Sequence, residues 1–85
     1  MSRVEIYSTK LCAHCWRAKD LLDSQGISYT EIDASEPSKL EKMLTLTGGV
    51  QSVPQIFIDG HHIGGANELV ALARSGELKK LFRLD

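Results

Sequence analysis

Apolar and polar positions change period along the chain, and each change marks an element. Arg-Val-Glu-Ile-Tyr-Ser at 3–8 is β-branched and aromatic and reads as a short strand. Ser8 to Leu11 reads as a loop. From Ala13 to about Gln25 the apolar stripe Cys15, Ala18 and Leu22, with Leu21 beside it, recurs at helical spacing, and Gly26 stands where a helix ends. Residues 27–33 alternate apolar and polar, which predicts a second strand. Strand, helix and strand in succession form a crossover unit, so these two strands are expected to run parallel.

Ala34-Ser35-Glu36-Pro37 opens a second helix, with Ser35 as the expected N-cap and Pro37 in the first turn. Its inward stripe is expected at Leu40, Met43, Leu44 and Leu46 or Thr47, and Gly48-Gly49 ends it. Val50 to Val53 leads to Pro54, and Gln55-Ile56-Phe57-Ile58 reads as a third strand. Asp59-Gly60 is a strong hairpin signal, so His61-His62-Ile63 is expected to pair back as a fourth strand. Gly64-Gly65 breaks that strand. A third helix runs from Asn67 to about Ser75 with Leu69, Val70, Leu72 and Ala73 inward. Gly76 separates it from a short last helix, Glu77 to about Phe82. The order β-α-β-α-β-β-α plus a terminal helix predicts an α/β domain, a four-stranded mixed sheet with helices on both faces.

The only two cysteines are Cys12 and Cys15, in Cys-Ala-His-Cys at the junction of the first strand and first helix. Free N–H groups and the positive end of the helix dipole favour an anion there. A thiolate so placed is a usable nucleophile. The second cysteine lies one turn along, within reach to close a disulfide. A bridge between residues three apart encloses almost no loop and constrains the unfolded chain very little, so the pair reads as a redox centre rather than a staple. Zinc would need two more ligands. His14, His61 and His62 are the remaining candidates, and they do not converge. Haem attachment would need a histidine at 16, where Trp16 stands. Tyr7 and Trp16 are expected to be packing residues, with lining of the site beside Cys15 as the alternative for Trp16. One of His61 and His62 should face solvent and the other the sheet surface.

The 85 residues suffice for one small domain, expected to span 1–85. A net charge of −1 with no basic stripe argues against nucleic acid as a partner. No apolar run approaches the ~20 residues of a membrane span. The N-terminus lacks the basic-then-apolar layout of a secretory signal, so a cytoplasmic location is the expectation.

Taken whole, the sequence resembles a dithiol glutaredoxin of the small bacterial type, within the thioredoxin superfamily. Three motifs carry the resemblance in order: Cys12 to Cys15, Ser52-Val53-Pro54 before a strand, and Gly64-Gly65 after a hairpin. The resemblance implies a thioredoxin-like fold and glutathione-dependent reduction of protein disulfides and glutathione mixed disulfides. Cys12 would be the nucleophile and Cys15 the resolving thiol; independently of the resemblance, an imidazole at His14 is expected to stabilise the Cys12 thiolate of the reduced state by hydrogen bonding and charge. Pro54 would be cis and face the cysteines. Glutathione would be bound by Thr9, Lys10, His14, Ser52, Val53, Pro54, Gly64, Gly65, Ala66 and Asn67. The chain departs from the usual family pattern at Ala13 and His14, at Thr9 with Lys10 one step later, at Asn67-Glu68, and at Gly49-Val50-Gln51. Glutathione is the implied co-substrate of a monomer acting on disulfide-containing or glutathionylated proteins, with no tightly bound cofactor. Two alternatives accompany this reading. One is a dimeric carrier of a [2Fe–2S] cluster held by the first cysteine of each subunit and two glutathiones; Ala13 removes the proline that opposes it. The other is a redoxin recharged by thioredoxin reductase.

Overall fold

The computed structural model describes residues 3–82. It contains β1 (Val4–Ser8), α1 (Ala13–Ser24), β2 (Thr30–Asp33), α2 (Pro37–Thr47), β3 (Gln55–Ile58), β4 (His61–Gly64), α3 (Ala66–Ser75) and α4 (Glu77–Phe82). The strands form one sheet in the order β2-β1-β3-β4. β1 runs parallel to β2, and the β1–β3 and β3–β4 pairs are antiparallel. The expected mixed sheet is therefore present.

Helices cover both faces, and the burial of β1 and β3 follows from that. A strand screened on both sides loses the polar half of its alternation. All four residues of β3 are buried, as are four of the five in β1. On one face Val4, Ile6, Ile56 and Ile58 pack with Ala18 and Leu22 of α1, Ala66 and Leu69 of α3, and Leu78 of α4. On the other, Tyr7 and Phe57 meet Met43 of α2, with Leu40 and Ile32 packed alongside. The Tyr7 and Phe57 rings cross edge to face with centroids 5.7 Å apart. Leu22 is fully buried, so Leu22→Ala should lower unfolding free energy by about 2–5 kcal/mol, measured by urea titration.

Three expectations are corrected. The second strand begins at Thr30 rather than at residue 27. Glu5 faces Thr30 in the parallel register, so residues 27 and 28 would lie opposite positions before β1 begins. Ile27 instead closes α1. Its N–H donates to Leu22 O at 2.9 Å and Gly26 N–H to Asp23 O at 3.0 Å, the paired bonds of a Schellman motif. Its side chain joins Leu22 in the core. Ser35 is not the N-cap of α2. Glu36 holds that position without a side-chain bond, because Asp33 Oδ1 takes both the Ser35 N–H (2.9 Å) and its hydroxyl (2.6 Å). Of the two alternatives at the end of the α2 stripe, Leu46 is exposed and Thr47 is half-buried, while Met43 is fully buried as expected. Trp16 is 64% exposed instead of packed, since the inward stripe of α1 is filled by Cys15, Ala18 and Leu22. Tyr7 is buried as expected.

Candidate active site

Cys12 is the N-cap of α1, with extended backbone (φ −137°, ψ 107°). Its sulfur takes the place usually held by a capping oxygen, accepting the Cys15 N–H at 3.2 Å. The Cys12 thiol in turn points at Val53 O, 3.7 Å away. The Val53–Pro54 peptide is cis, as the motif before β3 led us to expect. Two segments 41 positions apart thus meet at one sulfur.

The two thiols differ in environment. Cys12 is partly exposed, whereas Cys15 is fully buried under α1. Burial pushes the Cys15 thiol up to about 11, helped by its hydrogen bond with Cys12. A backbone bond from Thr9 and the Lys19 ammonium act in the opposite direction. Cys15 is therefore a neutral thiol near pH 7.

Beside Cys12 a cavity of about 380 Å³ is lined by His14, Val50, Ser52, Val53, Pro54, Gln55, His62, Gly64, Gly65, Ala66, Asn67 and Glu68. Eight residues singled out from the sequence come together there: His14, Ser52, Val53, Pro54, Gly64, Gly65, Ala66 and Asn67. The floor is tight at the paired glycines. A Cβ on Gly65 would stand 3.3 Å from Pro54 O, and one on Gly64 would stand 2.6 Å from Glu68 Oε1. α3 starts at this point, and Glu68 accepts the Gly65 N–H at 2.6 Å. A helix N-terminus whose backbone is approachable through glycine is an anion site. Sequence reasoning missed Val50, Gln55, His62 and Glu68. Gln55 and His62 looked like ordinary strand residues, and the alternation of β3 and β4 was the signal that could have put them on one face.

Thr9 and Lys10 are not part of this cavity. They line a second one of about 360 Å³ with Ser8, Trp16, Lys19, Glu31 and Asp33. The first turn of α1 separates the two, because residues two apart on a helix point to nearly opposite sides. His14 faces the first cavity and Trp16 the second. In the second, Lys19 Nζ lies 2.7 Å from Glu31 Oε2 and 5.0 Å above the Trp16 ring. The Ser8 hydroxyl donates to the same carboxylate oxygen at 2.6 Å. The bond from Lys19, then that from Ser8, holds the Glu31 carboxyl below its ordinary value.

A lowered carboxylate stabilises the fold above its unfolded value, and that contribution is lost as pH falls through the folded one. Glu31→Gln should therefore flatten the acid limb of the stability profile below ~pH 4.5. The effect should stay within about 1 kcal/mol, because the pair is partly solvated. Urea midpoints over a pH series check this.

Among the described residues no group of three or more His, Cys, Asp or Glu side chains gathers as a metal site. No helix among them is long and apolar enough to cross a membrane.

A dithiol split between an accessible helix cap and a buried helix interior, on a mixed sheet covered on both faces, defines a thiol–disulfide oxidoreductase with a thioredoxin-like fold. Comparison with known proteins narrows the class. The family model described as Glutaredoxin matches residues 4–63. Glutaredoxin 3 of Escherichia coli (strain K12) is 44% identical over 84 residues, covering 98% of this chain and 100% of that one. The solution structure of glutaredoxin from Brucella melitensis superposes with a TM-score of 0.81 at 40% identity, covering 96% of this chain and 89% of that one. The crystal structure of a buckwheat glutaredoxin–glutathione complex gives 0.83 at 31% identity, covering 94% and 76%. The chain belongs to the glutaredoxin family. It is a glutathione-dependent thiol–disulfide oxidoreductase.

Proposed function

We propose that Cys12 carries the chemistry and that the 380 Å³ cavity beside it is the glutathione groove. One observation supports this above the others: the Cys12 sulfur lies 3.7 Å from Val53 O, at the edge of a groove with a helix N-terminus on its far side. Glutathione is an extended peptide with carboxylates at both ends. Its backbone would pair with the Val53 backbone at the groove edge, and its γ-glutamyl carboxylate would sit at the start of α3 near Ala66 and Asn67. The glutathione bound in the buckwheat relative supports the same reading.

The reaction follows from the two thiols. The Cys12 thiolate attacks the glutathionyl sulfur of a mixed disulfide, and the substrate leaves as a thiolate that takes up a proton. A second glutathione thiolate attacks the glutathionyl sulfur on Cys12, releasing glutathione disulfide and restoring Cys12. On a protein disulfide, Cys12 forms the mixed disulfide and Cys15 then attacks Cys12, expelling the second substrate thiol. Two glutathiones reduce the resulting Cys12–Cys15 bridge and leave as glutathione disulfide. Burial suits Cys15 to this second role, since its protonated thiol does not compete with Cys12 for the incoming substrate, and it gives up that proton when it attacks. Thr9 and Lys10 would meet the parts of a substrate that extend past Cys12 on the Trp16 side. We propose that residues 1–85 work as one domain, as a monomer in the cytoplasm, on glutathionylated and disulfide-bonded proteins.

Turnover of a glutathionylated peptide, coupled to glutathione reductase and in parallel to thioredoxin reductase, tests the reading. Activity only with the glutathione couple is the expected result. Turnover with thioredoxin reductase alone would reject it.

His14 tunes the centre. An imidazole one or two residues from Cys12 can donate a hydrogen bond to the thiolate, and a stabilised reduced form has a higher reduction potential. His14→Tyr should lower the potential of the dithiol couple by on the order of 30 mV, the equivalent of one good hydrogen bond for a two-electron couple. Equilibration against glutathione redox buffers measures it. An unchanged potential would leave His14 as groove lining only.

A further inference from the structure

A chain of three side-chain contacts runs along the wall of the groove. Gln55, 4% exposed, sends Nε2 to Ser52 O at 2.9 Å, with Ser52 Oγ at 3.4 Å. Its Oε1 lies 2.6 Å from His62 Nε2. The His62 ring stacks on Phe57, centroids 5.0 Å apart and planes 29° apart. Phe57 and His62 are register partners across β3 and β4, and Gln55 lies two residues before Phe57 on the same face. The histidine thus reaches its diagonal neighbour across the hairpin.

The chemistry fixes the direction of every bond. A backbone carbonyl only accepts, so the Gln55 group facing Ser52 O is its amide nitrogen. The group facing His62 is then the amide oxygen, also only an acceptor. His62 Nε2 must carry the proton. The imidazole therefore locks the amide, the amide holds Ser52 O, and Ser52 adjoins Val53, whose carbonyl lies beside Cys12. Without that donor, the buried Gln55 oxygen loses its partner and the amide can rotate away from Ser52.

We propose that His62 is a positioning residue for the groove: through Gln55 it holds the Ser52–Val53 segment in the geometry that binds glutathione. The proposal rests on the groove being the glutathione site.

The test separates the ring from its proton. His62→Phe keeps the stack on Phe57 and removes the donor; His62→Gln restores an N–H of similar reach. With a glutathionylated peptide and glutathione, His62→Phe should raise KM for the peptide about three- to tenfold with kcat little changed, the scale of one hydrogen bond. His62→Gln should recover most of the loss. A folded His62→Phe protein with wild-type KM overturns the proposal, as does an equal rise in both variants. Should His62→Phe fail to fold, the wild-type protein decides. Nitrogen-15 spectra of the imidazole should show the Nε2–H tautomer in the neutral ring, and an Nδ1–H tautomer overturns the proposal. Absence of wild-type turnover with glutathione would reject the groove assignment instead, leaving the tautomer result to judge the His62–Gln55 contact.

Discussion

Cys12→Ser should abolish turnover on every disulfide substrate, while Cys15→Ser should keep deglutathionylation and lose reduction of protein disulfides. The asymmetry follows from position. Cys12 is accessible at the helix cap, where Cys15 N–H meets its sulfur. Cys15 is fully buried, with its thiol pushed up to about 11. The monothiol route needs one sulfur and a second glutathione; the dithiol route needs Cys15 to attack Cys12. A serine hydroxyl cannot replace the Cys12 thiolate, so its loss should be several orders of magnitude, down to the assay floor. Steady-state assays with a glutathionylated peptide and with a disulfide-bonded protein distinguish the two variants. Iodoacetamide labelling near neutral pH gives an independent check, and modification of Cys15 ahead of Cys12 would overturn the assignment.

Gly64→Val should cost both stability and binding. Gly64 has φ +122°, a conformation that a β-branched residue adopts only as an outlier. The strain should lower unfolding free energy by about 1–3 kcal/mol. For a domain of this size that is a fall in Tm of roughly 5–20 °C. The new Cβ would also stand 2.6 Å from Glu68 Oε1 and drive that carboxylate off the Gly65 N–H, at the mouth of the groove. KM for a glutathionylated peptide should therefore rise at least about tenfold, the equivalent of some 1.4 kcal/mol of lost binding. Gly60→Ala is the matched control. Gly60 also has positive φ, at +82°, but nothing lies within 4 Å of an added Cβ and it does not line the groove. It should lose stability with KM unchanged. If Gly64→Val shows only the same stability loss, the paired glycines are not part of the binding site.

The local grammar of the chain was legible without coordinates. The helical stripe at Cys15, Ala18 and Leu22, the Asp59-Gly60 turn and the order of all eight elements follow from periodicity and backbone chemistry, which act over a few residues. Asp59 and Gly60 both have positive φ (52° and 82°), as a tight hairpin requires. The misread start of β2 shows where that grammar fails. Ile27 has the spacing of a strand residue, yet it closes the Schellman motif of α1. An apolar residue after a helix can be buried by the helix cap or by a sheet, and only the position of the neighbouring strand chooses.

The sequence by itself determined that a dithiol stands at a strand-to-helix junction, where amides and the helix dipole favour an anion. The resemblance carried by Ser52-Val53-Pro54 and Gly64-Gly65 implied which other segments belong with it. Tertiary structure alone decided how they meet. The sheet order β2-β1-β3-β4 puts β3 beside β1, and that brings Val53 to Cys12 across 41 positions. The first turn of α1 then divides the surroundings, leaving His14 over the groove and Thr9 and Lys10 with Trp16 in another cavity. Gln55 and His62 entered the site because β4 folds back on β3 and aligns their side chains on one face. Contacts between distant segments depend on strand order and on which faces the helices cover. Those are properties of the whole packed domain, and no window of the chain contains them.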